Sequence, residues 1–141
     1  MDEAETRLSK LAGTHYPRNE THAWGDFFEM RVDSELVVRP MRVYPGGASS
    51  LHQHYPEELM LVTEGSVVCD VGRPGGKIDV VRLDEGDVIH VPSGAVHRVR
   101  AVDSASGPAH ILELKVGEPM DGRYEIVRIE PAVEGRDPSA R

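Results

Sequence analysis

The chain has 141 residues, enough for one domain with a single core and too few for two ordinary ones. Hydrophobic residues make up 39% and charged residues 28%, which excludes a disordered polymer, and 14 glycines and 10 prolines between short apolar runs favour a β-protein over a helical bundle. A net charge of -8 supplies no cationic face for a phosphate backbone or an anionic membrane surface, so neither nucleic acid nor membrane is an expected partner.

In chain order, residues 1–12 carry Ala4, Leu8 and Leu11 at a loose helical spacing, which predicts a short N-terminal helix or an arm. The first residues are acidic, with no apolar stretch of a secretory signal, and no run approaches the ~20 residues that span a bilayer. A soluble, cytoplasmic protein is expected. The densest aromatic cluster, Trp24-Gly25-Asp26-Phe27-Phe28, suits core packing or a lid over one barrel end better than direct substrate contact.

Strand signals then follow at 36–44, 58–62, 67–71, 78–83, 88–91, 96–102, 110–116 and 124–129. Turn chemistry separates them, as at Pro45-Gly46-Gly47, Gly72-Arg73-Pro74-Gly75-Gly76 and Pro92-Ser93-Gly94. About eight short strands at near-regular spacing predict an all-β barrel or sandwich. The expected organisation is an N-terminal arm over 1–30, a barrel over 31–130 and a flexible tail over 131–141. Cys69 is the only cysteine, so no internal disulfide can form, and its run Val67-Val68-Cys69-Asp70-Val71 suits a core thiol better than a nucleophile.

His52-Gln53-His54 places two imidazoles on one face of a strand, because alternate side chains point the same way. Glu58 follows Tyr55-Pro56, where a bend can return its carboxylate to the imidazole side. Imidazole and carboxylate donors together suit one divalent ion of zinc, iron, manganese, nickel or cobalt. The pair alone is weak evidence, and its surroundings strengthen it.

Those surroundings resemble the cupin superfamily. Its first motif is a glycine, five residues, H-x-H, three or four residues, a glutamate, six residues and a glycine; Gly46, His52, His54, Glu58 and Gly65 meet that spacing. The second is a glycine, five residues, P-x-G, two residues, a histidine, three residues and an asparagine; Gly86, Pro92, Gly94 and His97 match, and Ala101 stands where the asparagine would be. The resemblance implies a single double-stranded β-helix (jelly-roll) barrel, metal ligands His52, His54, Glu58 and His97, and a homodimer. The missing asparagine is not a ligand in the family, so it bears on local hydrogen bonding. The motif glycines should sit where φ > 0 or a close approach excludes a Cβ.

Trp24-Gly25, Pro45-Gly46 with Ser50-Leu51, Leu112-Glu113-Leu114-Lys115-Val116-Gly117 and Ile126-Val127-Arg128 look like the type II mannose-6-phosphate isomerase branch. That branch commonly has glutamine where His52 stands. The analogy implies a metal-dependent enzyme on a small molecule, such as a sugar or sugar-phosphate isomerase. An iron-dependent dioxygenase and a non-catalytic ligand sensor stay open, because the family uses nearly the same ligands for different chemistries.

Glu113 and Lys115 share one face of their strand, opposite Leu112, Leu114 and Val116. If that face lines the cavity, Glu113 is the candidate base and Lys115 an anion contact; if the apolar face does, both are solvent charges. Tyr44, Tyr55, Met60 and Arg100 are further candidates for shaping the pocket.

Overall fold

The computed structural model describes residues 19–32, 35–102, 106–117 and 127–136. Twelve antiparallel strands are present among them: β1 (Asn19–His22), β2 (Gly25–Phe28), β3 (Met30–Arg31), β4 (Leu36–Val43), β5 (Leu51–Gln53), β6 (Glu57–Glu64), β7 (Val67–Gly72), β8 (Ile78–Leu83), β9 (Val88–Val91), β10 (Val96–Ala101), β11 (Ala109–Val116) and β12 (Val127–Glu130). They form two sheets. One runs β1-β2-β4-β11-β6-β9 with β3 beside β4, and the other runs β12-β5-β10-β7-β8. This is the all-β class that the strand spacing predicted, in the jelly-roll form that the resemblance implied. No helix of the described residues is long and apolar enough to cross a membrane.

Period-two alternation decides what each sheet turns inward. From β4, β6 and β11 the apolar residues Met41, Val43, Met60, Val62, Ala109 and Ile111 enter the core, where they meet Val67, Cys69, Val99 and Ala101 of the facing sheet. Val43, Val62, Val67 and Val91 are fully enclosed. Burying each such side chain contributes about 1.5–3 kcal/mol relative to exposure.

Register then grades the interior along the barrel. One row across the first sheet reads Phe27, Met41, Ile111 and Val62. The next reads Arg39, Glu113 and Met60, and the one after reads Val37, Lys115, Glu58 and Val91. The core is therefore apolar at one end and charged at the other.

Two boundaries differ from the sequence reading. The barrel reaches back into the expected arm, because β1 and β2 pair with one another and β2 pairs with β4, so Trp24 and Phe27 are core residues of the sheet. The tail is held up to Arg136. Val133 bridges Ala48, Gly135 N–H donates to Ala23 O at 2.9 Å, and Arg136 N–H donates to Pro45 O at 2.8 Å. The residues expected to be loose give their backbone groups partners that proline and glycine counts do not reveal. The N-terminal helix-or-arm reading over 1–12 and the start of the last expected strand at 124 lie outside the described residues.

The four motif glycines Gly46, Gly65, Gly86 and Gly94 all have positive φ, as their turns require. Gly25 is constrained differently: a Cβ there would stand 2.0 Å from the Arg42 carbonyl oxygen. We expect Gly25→Ala to cost about 1–3 kcal/mol in urea unfolding by forcing β2 away from β4. Gly107→Ala, with open space around it, should stay within about 0.5 kcal/mol of the parent.

Candidate metal centre

Antiparallel pairing of β5 with β10 sets His52 directly across from His97. His54 lies just past the end of β5, and the bend at Tyr55-Pro56 carries the chain to the opposite sheet, where Glu58 enters β6. One donor atom from each of His52, His54, Glu58 and His97 lies within 4.8 Å of the others. Ring centroids are 5.4 Å apart for His52 and His54, 4.4 Å for His52 and His97, and 4.8 Å for His54 and His97.

Each imidazole is oriented from behind. Nδ1 of His52 lies 2.6 Å from Ser50 O, that of His54 3.1 Å from Pro56 O, and that of His97 3.2 Å from Ala95 O. A carbonyl oxygen only accepts, so Nδ1 carries the proton in each neutral ring and the Nε2 lone pair faces the cluster. Nε2 of His54 is 2.7 Å from one Glu58 oxygen, and Nε2 of His97 is 3.0 Å from the other. Yet His97 Nε2 and Glu58 Oε2, both buried, make no hydrogen bond of good geometry. Buried acceptors this close call for a cation between them, and three imidazoles with one carboxylate are a donor set for a divalent transition ion.

The electrostatics agree. Burial, then the neighbouring His97, push the His52 imidazole down to about 4, so it is neutral and ready to ligate near neutral pH. Burial works against ionisation of Glu58, but the approaching His54 and His97 rings and Lys115 hold its carboxyl well below the usual range. His97 is pulled up by Glu58 despite its burial. Without a metal, a proton is what the Glu58 carboxylate attracts to these rings.

Beside the cluster is a small chamber of about 70 Å³. Glu113 and Lys115 enter it from β11, so the charged face of that strand lines the cavity and Leu112 and Leu114 face outward. Lys115 Nζ is 3.9 Å from Glu58 Oε1. Burial and the nearby Glu58 charge raise the Glu113 carboxyl to about 7, against the opposing pull of Lys115 and Arg39. Met60 also lines the chamber.

Three other pocket candidates are placed elsewhere. Tyr44 is buried with its hydroxyl 3.3 Å from Asp26 and does not line the chamber. Tyr55 is 69% exposed, since the bend that returns Glu58 turns this ring outward. Arg100 alternates with inward Val99 and Ala101, so it lies on the outer face and bonds Asp70 at 2.9 and 3.0 Å. Cys69 is a core thiol, raised by burial to about 12 and so unsuited to be a nucleophile. At Ala101 the backbone N–H donates to Gly47 O at 2.9 Å, so main chain ties this strand to the motif loop in the absence of asparagine.

The sequence reading passed over Arg39. It occupies an inward position of β4 directly across from Glu113, with its guanidinium 3.7 Å from that carboxylate, 3.2 Å from Glu29 and 4.8 Å from the Phe27 ring centroid. The available signal was an arginine in phase with Val37, Met41 and Val43.

Comparison with known proteins finds a match to the Cupin domain family over residues 40–115, and no match among curated proteins. A tryptophan-to-tyrosine variant of oxalate decarboxylase from Bacillus subtilis is similar with a TM-score of 0.64 and 25% identity, covering 75% of this chain and 28% of that one. A tryptophan-to-phenylalanine variant gives a TM-score of 0.68 and 23% identity over 84% of this chain and 31% of that one. This chain thus spans less than a third of the length of those structures. The family match covers more than half of the sequence and every residue of the histidine and glutamate cluster, on two sheets with the expected architecture: this chain belongs to the cupin domain family.

Proposed function

We propose that this chain is a metal-dependent enzyme that moves a proton on a small oxygenated molecule, with the ion held by His52, His54, Glu58 and His97. One observation carries the reading: a second buried carboxylate, Glu113, opens into the same chamber as the donor set without belonging to it. A divalent ion there would polarise a carbonyl or hydroxyl of a chelating substrate. Glu113 holds or releases the proton close to neutral pH, which suits general acid–base work. Lys115 offsets negative charge on the ligand and on Glu58. Met41, Met60 and Val99 give the chamber an apolar wall.

Sugar or sugar-phosphate isomerisation is the closest analogy, supported by the scattered likeness to the mannose-6-phosphate isomerase branch. The likeness to part of oxalate decarboxylase supports metal-dependent chemistry on a small acid equally well. Exposed Phe28, Leu59, Val88 and Val116 on the outer face of the first sheet support a homodimer as part of this reading.

His97→Ala should stay folded, because His97 is not part of the apolar core, and should bind the metal about 100-fold or more weakly. Elemental analysis of parent and variant checks this, and full metal retention by the variant would count against the ligand set. Turnover under argon should continue. A strict requirement for dioxygen, with iron as the native metal, would move the assignment to a dioxygenase. Tight binding without product across sugars and acids would favour a sensor.

Glu113 also predicts a pH dependence. Its carboxyl rises from 4.5 to about 7 on folding, so the folded chain binds this proton more tightly than the unfolded one. The associated stability is present below 4.5 and is lost as pH rises to about 7. In metal-free protein, Glu113→Gln should gain stability relative to the parent between pH 5 and 8, by on the order of 1–3 kcal/mol. Urea midpoints that move in parallel for both proteins would sink this role.

A further inference from the structure

Six residues, Trp24, Phe27, Arg39, Ser49, His52 and Lys115, line both the inner chamber and a wider cavity outside it. They form a neck. Inward, the chamber of about 70 Å³ reaches Glu58, His97 and Glu113. Outward, a vestibule of about 480 Å³ adds His22, Arg128 and Pro131. The inner chamber has about one seventh of the vestibule's volume and so takes the smaller end of a ligand. The body of any larger ligand stays in the vestibule. Its wall there is flat, since the His22, Trp24 and Phe27 rings stack with interplanar angles of 9° and 16° from His22.

Three cations mark this path. Lys115 is 2% exposed, Arg39 stands at the neck beside Phe27, and Arg128 lies on β12 across from His52. The chain as a whole carries -8, so a grouping of three cations along one path runs against its general charge. Among the described residues, the carboxylates paired with these cations include Glu58, Glu113 and Glu29.

We propose that this funnel admits a small organic anion, with its acidic group at the Arg39–Lys115 neck and its body against Trp24 in the vestibule. The acidic group is a carboxylate or a phosphate. The proposal deepens the functional reading by naming the charge of the substrate, and rests on that reading only for the chemistry that follows binding. Lys115 and Arg39 select the charge; the narrow chamber selects the size of the head group.

Trp24 is the only tryptophan of the chain, so its emission reports occupancy of the neck directly. The test titrates metal-stripped, desalted protein with malonate, inorganic phosphate, uncharged malonamide and glucose. Malonate or phosphate should give a saturable change that weakens with added salt, and the tighter of the two identifies the acidic group. Malonamide and glucose should bind at least about tenfold more weakly. Lys115→Met should lose about tenfold in affinity for the acid. Arg128→Gln, at an exposed position where the fold is not at risk, should lose severalfold. Lys77→Met, far out on an exposed turn, should bind as the parent does.

Equal binding of malonamide and malonate overturns the proposal. So does parental affinity in Arg128→Gln together with Lys115→Met, or the lack of a saturable response to both acids. Acid binding by the stripped protein alongside full metal retention in His97→Ala would remove the metal centre and leave the anion site standing. Metal loss in His97→Ala with no preference for acids would do the reverse.

Discussion

Glu58 and the imidazoles of His54 and His97 approach within 2.7 and 3.0 Å in the dry interior of the barrel, and this approach constrains everything around it. A carboxylate and two lone pairs repel unless a proton or a metal lies between them. Water cannot screen that repulsion where the side chains are almost wholly enclosed. Glu58 comes from one sheet and His97 from the other, so the same contact joins the two layers of the fold.

The charged rows beside it follow from the same constraint. Burying Arg39, Glu58, Glu113 and Lys115 costs free energy that isolated ion pairs do not return in full. The opposite end of the barrel offsets that cost with Val43, Val62, Val67 and Ile111. A strand such as β11 therefore changes character along its length, from Ala109 and Ile111 to Glu113 and Lys115, without changing face. Its outward residues, Leu112 and Leu114, are the apolar ones. An inverted pattern of this kind weakens the core and builds a site.

The division of labour between the two cavities follows from geometry. The backbone carbonyls behind the three imidazoles fix the inner chamber before any ligand enters. The vestibule draws on β1, β2 and the segment around Pro131, which local composition marked as an arm and a tail. Backbone pairing to β4, Ala48 and Pro45 makes them walls. Pairing partners distant in sequence leave no local trace, so composition alone did not show that these segments join the sheets.

The sequence by itself determined the all-β class, most strand positions, the turns that need glycine and the cluster His52, His54, Glu58 and His97. These are legible because strand alternation, positive φ and motif spacing are local properties of the chain. It also named Glu113, Lys115 and Met60, but could not say which face of β11 met the cavity. Tertiary structure decided that, turned Tyr55 and Arg100 outward, buried Tyr44 beside Asp26, and brought in Arg39. Which side of a strand is inside depends on the sheet that packs against it, and that sheet is assembled from residues scattered over the whole chain.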